Sequence, residues 1–200
     1  MPRGVAIPQI RQHLFAAVER VIVRDGPGRL NGRAITGEAA VATGLLYAHF
    51  ADLDDFLAGY AVDRTFSVSA HAAALPERAG TGDIAANLCD AALATPPATL
   101  MALTRLLVAR PDLIARVHAV LGDDTSGIDA VEGAVTTYLT EEQRLGRLAA
   151  AVQPAPLALA VVGVLHRLTL AADTGADLPV SVRQAVTALV GNFTTAVPRR

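Results

Sequence analysis

Two hundred residues, 52 % of them apolar, can bury a substantial core, which excludes a disordered chain. All 17 basic residues are arginine and the formal net charge is −2, so the chain as a whole is no polycation. A single cysteine, Cys89, excludes an internal disulfide and any multi-cysteine zinc site.

Ala and Leu are abundant, and no long stretch alternates β-branched with polar residues. The expected class is all-α, with about nine helices. The first runs from about Pro8 to Arg24, with Ile10, Leu14, Val18, Val21 and Ile22 on one face. Gly26-Pro27-Gly28 stops it. Asn31 is a suitable N-cap for a short second helix through about Ala39, which turns Ile35 and Ala39 inward. A third helix fits from about Thr43 to Phe50, with Leu46 and Phe50 one turn apart. Asp52 caps a fourth, and Asp55 three residues on resembles a capping box with a shorter acid. Acids at 52, 54 and 55 also suit the positive end of the helix dipole. The fourth helix continues to about Leu75, before Pro76.

Further helices are expected at about 83–95, from Pro96-Pro97 to Ala109, from Pro111 to Leu121, and over about 128–148, 156–173 and 181–197. The stretch 122–127 reads as a loop. The N-terminus lacks a cationic segment followed by an apolar run, so no signal peptide is expected. The longest apolar stretch, Pro154 to Leu165, is too short to span a bilayer, and the expectation is a cytoplasmic protein without a membrane partner.

Charge is uneven. Residues 1–51 carry six arginines against Glu19, Asp25 and Glu38, a net of +3, and the remainder carries −5. A basic head on an acidic body can meet DNA with one end only. Within the head, Ile35, Ala39, Val41, Leu46 and Phe50 can form a small core with the first helix. Two short helices joined by about three residues then leave the start of the third exposed. Such a helix fits the major groove, where base edges carry a distinguishable pattern.

The run Ala39-x-Val41-x-x-Gly44-x-Leu46-Tyr47-x-His49-Phe50, followed by a capped helix with Phe56 and Leu57, resembles the signature of TetR-type regulators. Leu14-Phe15 and Ile35 fall where that family usually has them, and the match covers roughly residues 10–57. The resemblance implies a helix-turn-helix DNA-binding domain over 1–52 and a ligand-binding and dimerisation domain over 53–200. It implies a homodimer, a small-molecule effector, and a repressor released from a palindromic double-stranded operator. Arg33, Thr36, Thr43, Gly44, Leu45, Tyr47 and His49 match DNA-contacting positions. Tyr47 and His49 suit phosphates. Thr43 and Leu45 are placed to read bases, and Gly44 permits close backbone approach. The chain departs from the family at Ala40 (commonly Gly), Ala42 (commonly Ser), and Thr43 and Leu53 (often Lys). Losing two cations removes counterion-release affinity and leaves Arg3, Arg11 and Arg29 to compensate.

The helix over 156–173 is apolar nearly all round, and the last has a stripe of Val182, Val186, Leu189, Val190, Phe193 and Val197. A helix without a polar face is buried on all sides, so a four-helix dimer interface is expected. It would use Leu157, Val161, Leu165, Leu168, Val186, Leu189, Val190 and Phe193, with His166 at the helix pair. Polar or soft residues of the middle helices include Ser67, Asn87, Cys89 and Thr137. The candidate ligand contacts are His71, Met101, Thr104, His118 and Tyr138, in a mainly apolar pocket suited to an apolar molecule. Cys89 reads as a small core residue.

No cofactor motif is visible. The five histidines are too dispersed for a local metal motif, and no Gly-x-Ser-x-Gly elbow occurs. The glycine-rich stretch 26–32 follows a helix rather than a strand and lacks Lys-Ser/Thr, so a phosphate loop is rejected. The expectation is therefore no enzyme. The alternative to a regulator is a dimeric helical small-molecule-binding protein whose head has lost DNA affinity.

Overall fold

The computed structural model describes residues 9–122, 127–172 and 177–194. Ten helices and no strand occur among them, one for each of the ten segments expected: α1 (Ile10–Asp25), α2 (Gly32–Glu38), α3 (Thr43–His49), α4 (Leu53–Ala73), α5 (Ile84–Leu93), α6 (Pro97–Ala109), α7 (Asp112–Leu121), α8 (Gly127–Arg144), α9 (Pro154–Ala171) and α10 (Leu178–Val190). Arg3, Val197 and the middle of the 122–127 loop lie outside the described residues.

Short acids and amides set the helix starts. Asn31 Oδ1 accepts the Ala34 N–H at 2.9 Å, and Asp83 Oδ1 accepts that of Ala86 at 2.8 Å. Asp52 accepts the Asp55 N–H at 2.7 Å, and the Asp55 carboxylate accepts the Ala51 N–H at 3.0 Å. The shorter acid thus closes a reciprocal cap one residue outside the usual capping box. α8 ends four residues earlier than the periodicity suggests. Gly146 takes a left-handed φ of 73°, and the Glu142 carbonyl accepts the N–H groups of both Arg147 and Leu148. α9 starts two residues early, at Pro154, because proline in the first turn gives up only an N–H that has no intrahelical partner.

Two clusters make the interior. The first joins α1, α2 and α3 to α4, α6 and α7 through Leu14, Ile22, Ile35, Leu46, Phe50, Phe56, Tyr60, Leu106 and Leu113. The head's core therefore runs directly into the body, with no seam at residue 52. At its centre Phe15 meets the rings of Phe50, Phe56 and Tyr60 at 6.1, 5.6 and 5.7 Å between centroids. The second cluster packs α5, α8, α9 and α10 around Tyr138, Leu139, Val161 and Val186.

α9 corrects the expectation from length: its 18 residues are long and apolar enough to cross a membrane. Leu157, Ala158, Val161 and Val162 are nonetheless built into the second cluster.

The turn between α2 and α3 carries a local strain. Ala40 has φ 55°, in the left-handed region that costs a β-carbon-bearing residue about 1 kcal/mol or more. Ala40→Gly is expected to raise the unfolding free energy by about 0.5 kcal/mol, the relief offset by the added freedom of the unfolded chain. Denaturant titration checks this, and a clear loss of stability would show that the turn holds no strain.

Candidate nucleic-acid interface and interior cavity

The head presents α3 at its surface because one face of that helix is spent on the core. Leu46 is fully buried and Phe50 nearly so, while Thr43, Gly44, Tyr47 and His49 are exposed and Leu45 is half-buried. Three hydrogen bonds fix the head internally, one of them between α2 and α3. The Thr36 hydroxyl donates to the Gly32 carbonyl at 2.7 Å, and the Thr43 hydroxyl reaches Thr36 Oγ1 at 3.1 Å. The His13 ring donates from Nε2 to the Ala39 carbonyl at 2.8 Å, tying α1 to the end of α2. Tyr47 lies across the start of α2, where a β-carbon on Gly32 would sit 2.6 Å from its hydroxyl oxygen. Gly32 is therefore needed for Tyr47 to hold this position beside Arg33.

Thr36 corrects the candidate set. It is 1 % exposed, and its hydroxyl is used within the head. Its role is to hold α3 through Thr43 rather than to meet DNA. The remaining six candidates, Arg33, Thr43, Gly44, Leu45, Tyr47 and His49, share the solvent side of α2 and α3.

The electrostatics of this surface are modest. Arg20 and Arg24 both bind Glu38, at 2.7 and 2.6 Å, and Arg24 also binds Asp25. Those contacts hold the Glu38 carboxyl below its usual range. Arg11 stacks over Phe50 at 4.6 Å. Arg29 and Arg33, like Arg11, are exposed and make no ion pair among the described residues, so they remain available as cations. Ala42 occupies the N-cap of α3 and supplies no side-chain cap.

Gly44 is informative in another way. A β-carbon there would meet nothing within 4 Å, so the protein itself does not require glycine. Gly44→Ala is expected to stabilise the free protein by about 0.5–1 kcal/mol through helix propensity. The same change should weaken DNA binding several-fold by holding the backbone off the duplex. Opposite signs in a melting curve and a DNA titration are the expected pair, and unchanged DNA affinity would remove Gly44 from the interface.

Beneath the head, helices α4 to α9 and Val182 of α10 enclose a cavity of about 610 Å³. Val68, Leu88, Leu103, Leu107, Val117, Val135, Val161 and Leu165 are among its walls, and Thr104 and His118 line it as expected. His71, Met101 and Tyr138 do not. His71 is exposed and bonds Thr95 Oγ1 at 2.9 Å. Met101 is fully buried in the second cluster. Tyr138 is buried too, its hydroxyl accepts from Asn87 at 3.1 Å, and burial pushes the phenol above its usual range. Thr137 is exposed, its hydroxyl bound to the Gly133 carbonyl. His166, expected at the dimer helices, lines the cavity instead. Cys89 is buried, and that burial raises its thiol above the usual range, as suits a core residue. Sequence reasoning missed Thr65, which lines the cavity at 2 % exposure with a buried hydroxyl that has no partner.

The expected dimer residues also divide. Leu157, Val161, Val186 and Val190 are buried within the chain's own core, and Leu165, Leu168 and Leu189 are half-buried against it. Phe193, at 42 % exposure, is the one expected residue open to a partner. The outward face instead presents Ala155, Leu159 and Gly163 of α9 with Val180, Thr187 and Ala188 of α10.

No protein-family model and no curated protein matches this sequence. Solved structures do match its fold. A TetR transcription regulator from Haloarcula marismortui superposes with a TM-score of 0.57 at 14 % identity, over 92 % of this chain and 98 % of that one. The chain has the TetR-type fold. FadR from Bacillus halodurans, a fatty acid degradation regulator, matches with a TM-score of 0.68 at 16 % identity, over 98 % and 100 % of the two chains. SmeT, the repressor of a multidrug efflux pump of Stenotrophomonas maltophilia, matches at 0.57 and 14 %, over 95 % and 94 %.

Proposed function

We propose that this protein is a dimeric, DNA-binding transcription regulator, a repressor released from a palindromic operator by an apolar small molecule. The observation that carries the proposal is the exposed group of Arg33, Thr43, Gly44 and Tyr47 beside the half-buried Leu45, on two helices locked together by the Thr36–Thr43 bond. A short helix held rigidly with its first turn outward suits the major groove. The likeness to regulators of known fold supports the same reading.

Ligand release follows from shared helices. α4 and α6 line the cavity, and both also pack in the first cluster with the head. Arg105 of α6 donates to the Val23 carbonyl near the end of α1 and to the Ala172 carbonyl just after α9. A ligand that binds better when these helices shift lowers the population competent for DNA. A second copy is proposed to cover the outward face of α9 and α10, where Leu159 and Val180 are 58 % and 56 % exposed. Two heads related by a twofold axis would then read half-sites about 34 Å apart or more.

A second reading is a dimeric ligand-binding protein with little DNA affinity. It is favoured by the uncapped start of α3 and by the loss of Arg20 and Arg24 to Glu38. Selection from randomised duplex DNA at low salt separates the two. The regulator reading expects an inverted repeat to be enriched. No enrichment favours the second, and a monomeric mass by light scattering contradicts the dimer common to both.

A further inference from the structure

The cavity wall restricts what can fill it. Among the described residues, no phenylalanine, tyrosine or arginine lines it. Among the described residues its one carboxylate, Asp129, is solvent-exposed, and the remaining polar groups are threonine hydroxyls and the imidazoles of His118 and His166. An ionised carboxylate or ammonium brought inside would lose its hydration, with no arginine among the described lining residues and only the solvent-exposed Asp129 as a carboxylate to replace it. A planar aromatic ligand would find no phenyl or phenol ring among the described lining residues to stack against, and branched aliphatic walls favour a flexible alkyl body.

One group in this wall lacks a partner. Thr65 Oγ1 is buried, and Thr65 lines the cavity without a hydrogen bond to the protein. The neighbouring polar groups differ: Thr95 is bonded to His71, and Thr169 to the Leu165 carbonyl. A buried hydroxyl left unbonded destabilises the free protein, and a ligand oxygen that accepts from it relieves that cost.

We infer that the cavity takes an uncharged aliphatic molecule with one hydrogen-bond acceptor, an alcohol, ketone, ester or lactone, received by the Thr65 hydroxyl. This rests on reading the cavity as the effector site of a regulator. Calorimetric titration of the full chain with 1-decanol, decanoate and decylammonium at neutral pH tests it. Decanol is expected to bind at least ten-fold more tightly than either ion. Thr65→Val should weaken decanol about five-fold while raising the melting temperature of the ligand-free protein, and Thr65→Ser should keep wild-type affinity.

Decanoate or decylammonium binding as tightly as decanol overturns the inference. So does an unchanged decanol affinity in a folded Thr65→Val protein, or no binding of decanol by wild-type protein that still holds DNA. Decanol that binds through Thr65 yet leaves DNA binding unaltered upholds the ligand class and contradicts release from the operator.

Discussion

Phe15→Ala is expected to lower the unfolding free energy by about 4 kcal/mol, the upper range for a large core side chain replaced by alanine. Phe15 is 2 % exposed and touches three other aromatic rings, two of which, Phe56 and Tyr60, come from α4. Phe50 and Phe56 also pack edge-on with centroids 5.0 Å apart, so the surrounding rings brace one another and cannot simply collapse into the gap. Against a total stability of about 5–15 kcal/mol, such a loss depletes the folded state. Because the cluster sets the angle at which α4 carries the head, DNA binding should fall with it. Phe15→Leu retains most of the volume and is expected to cost about 1.5 kcal/mol. Urea titrations of the two variants check the order, and a loss below about 1 kcal/mol for Phe15→Ala would mean that the cluster is not a packed unit.

Arg64→Ala is expected to cost about 3 kcal/mol, because it leaves a buried carboxylate without its cation. Arg64 Nε donates to Glu19 Oε1 at 2.6 Å, and Thr99 donates to the other Glu19 oxygen at 3.0 Å. The guanidinium also reaches Gln12 at 2.9 Å and Asp63 at 2.7 Å and lies over the rings of Phe15 and Tyr60. These contacts join α1, α4 and α6, the joint between the head and the cavity. Removing both charges together, Glu19→Gln with Arg64→Met, should recover most of the loss. A penalty below about 1 kcal/mol for Arg64→Ala, the scale of an exposed ion pair, would contradict the role assigned to this joint.

The head is legible in sequence because its determinants are local. Asn31 and Asp52 cap at short range, and Leu14, Ile35, Leu46 and Phe50 fall at helical spacing on faces that have polar reverse sides. Thr36 misled because threonine in a short helix has two outlets. Its hydroxyl turns back to the Gly32 carbonyl and meets Thr43, and nothing in the spacing distinguishes that from an outward donor. α9 is harder still. A helix apolar on every side does not reveal which side meets its own core, so Val161 and Leu159 look alike in sequence but face opposite ways. The cavity was the least legible feature. It is drawn from six complete helices and one residue of a seventh, α10. Its most informative group, Thr65, follows Asp63 and Arg64 on α4, and nothing in that setting marks a hydroxyl turned to a cavity.

The most direct test of the central claim, that this head binds DNA despite its sparse charge, is anisotropy titration of the selected inverted repeat from about 50 to 200 mM salt. If Arg29 and Arg33 of two heads carry the phosphate contacts, the logarithm of affinity should fall against that of salt with a slope of about −3.6. Affinity for a scrambled duplex should be at least about a thousand-fold weaker. No binding at the lowest salt, or equal affinity for the scrambled duplex, would contradict a sequence-reading head.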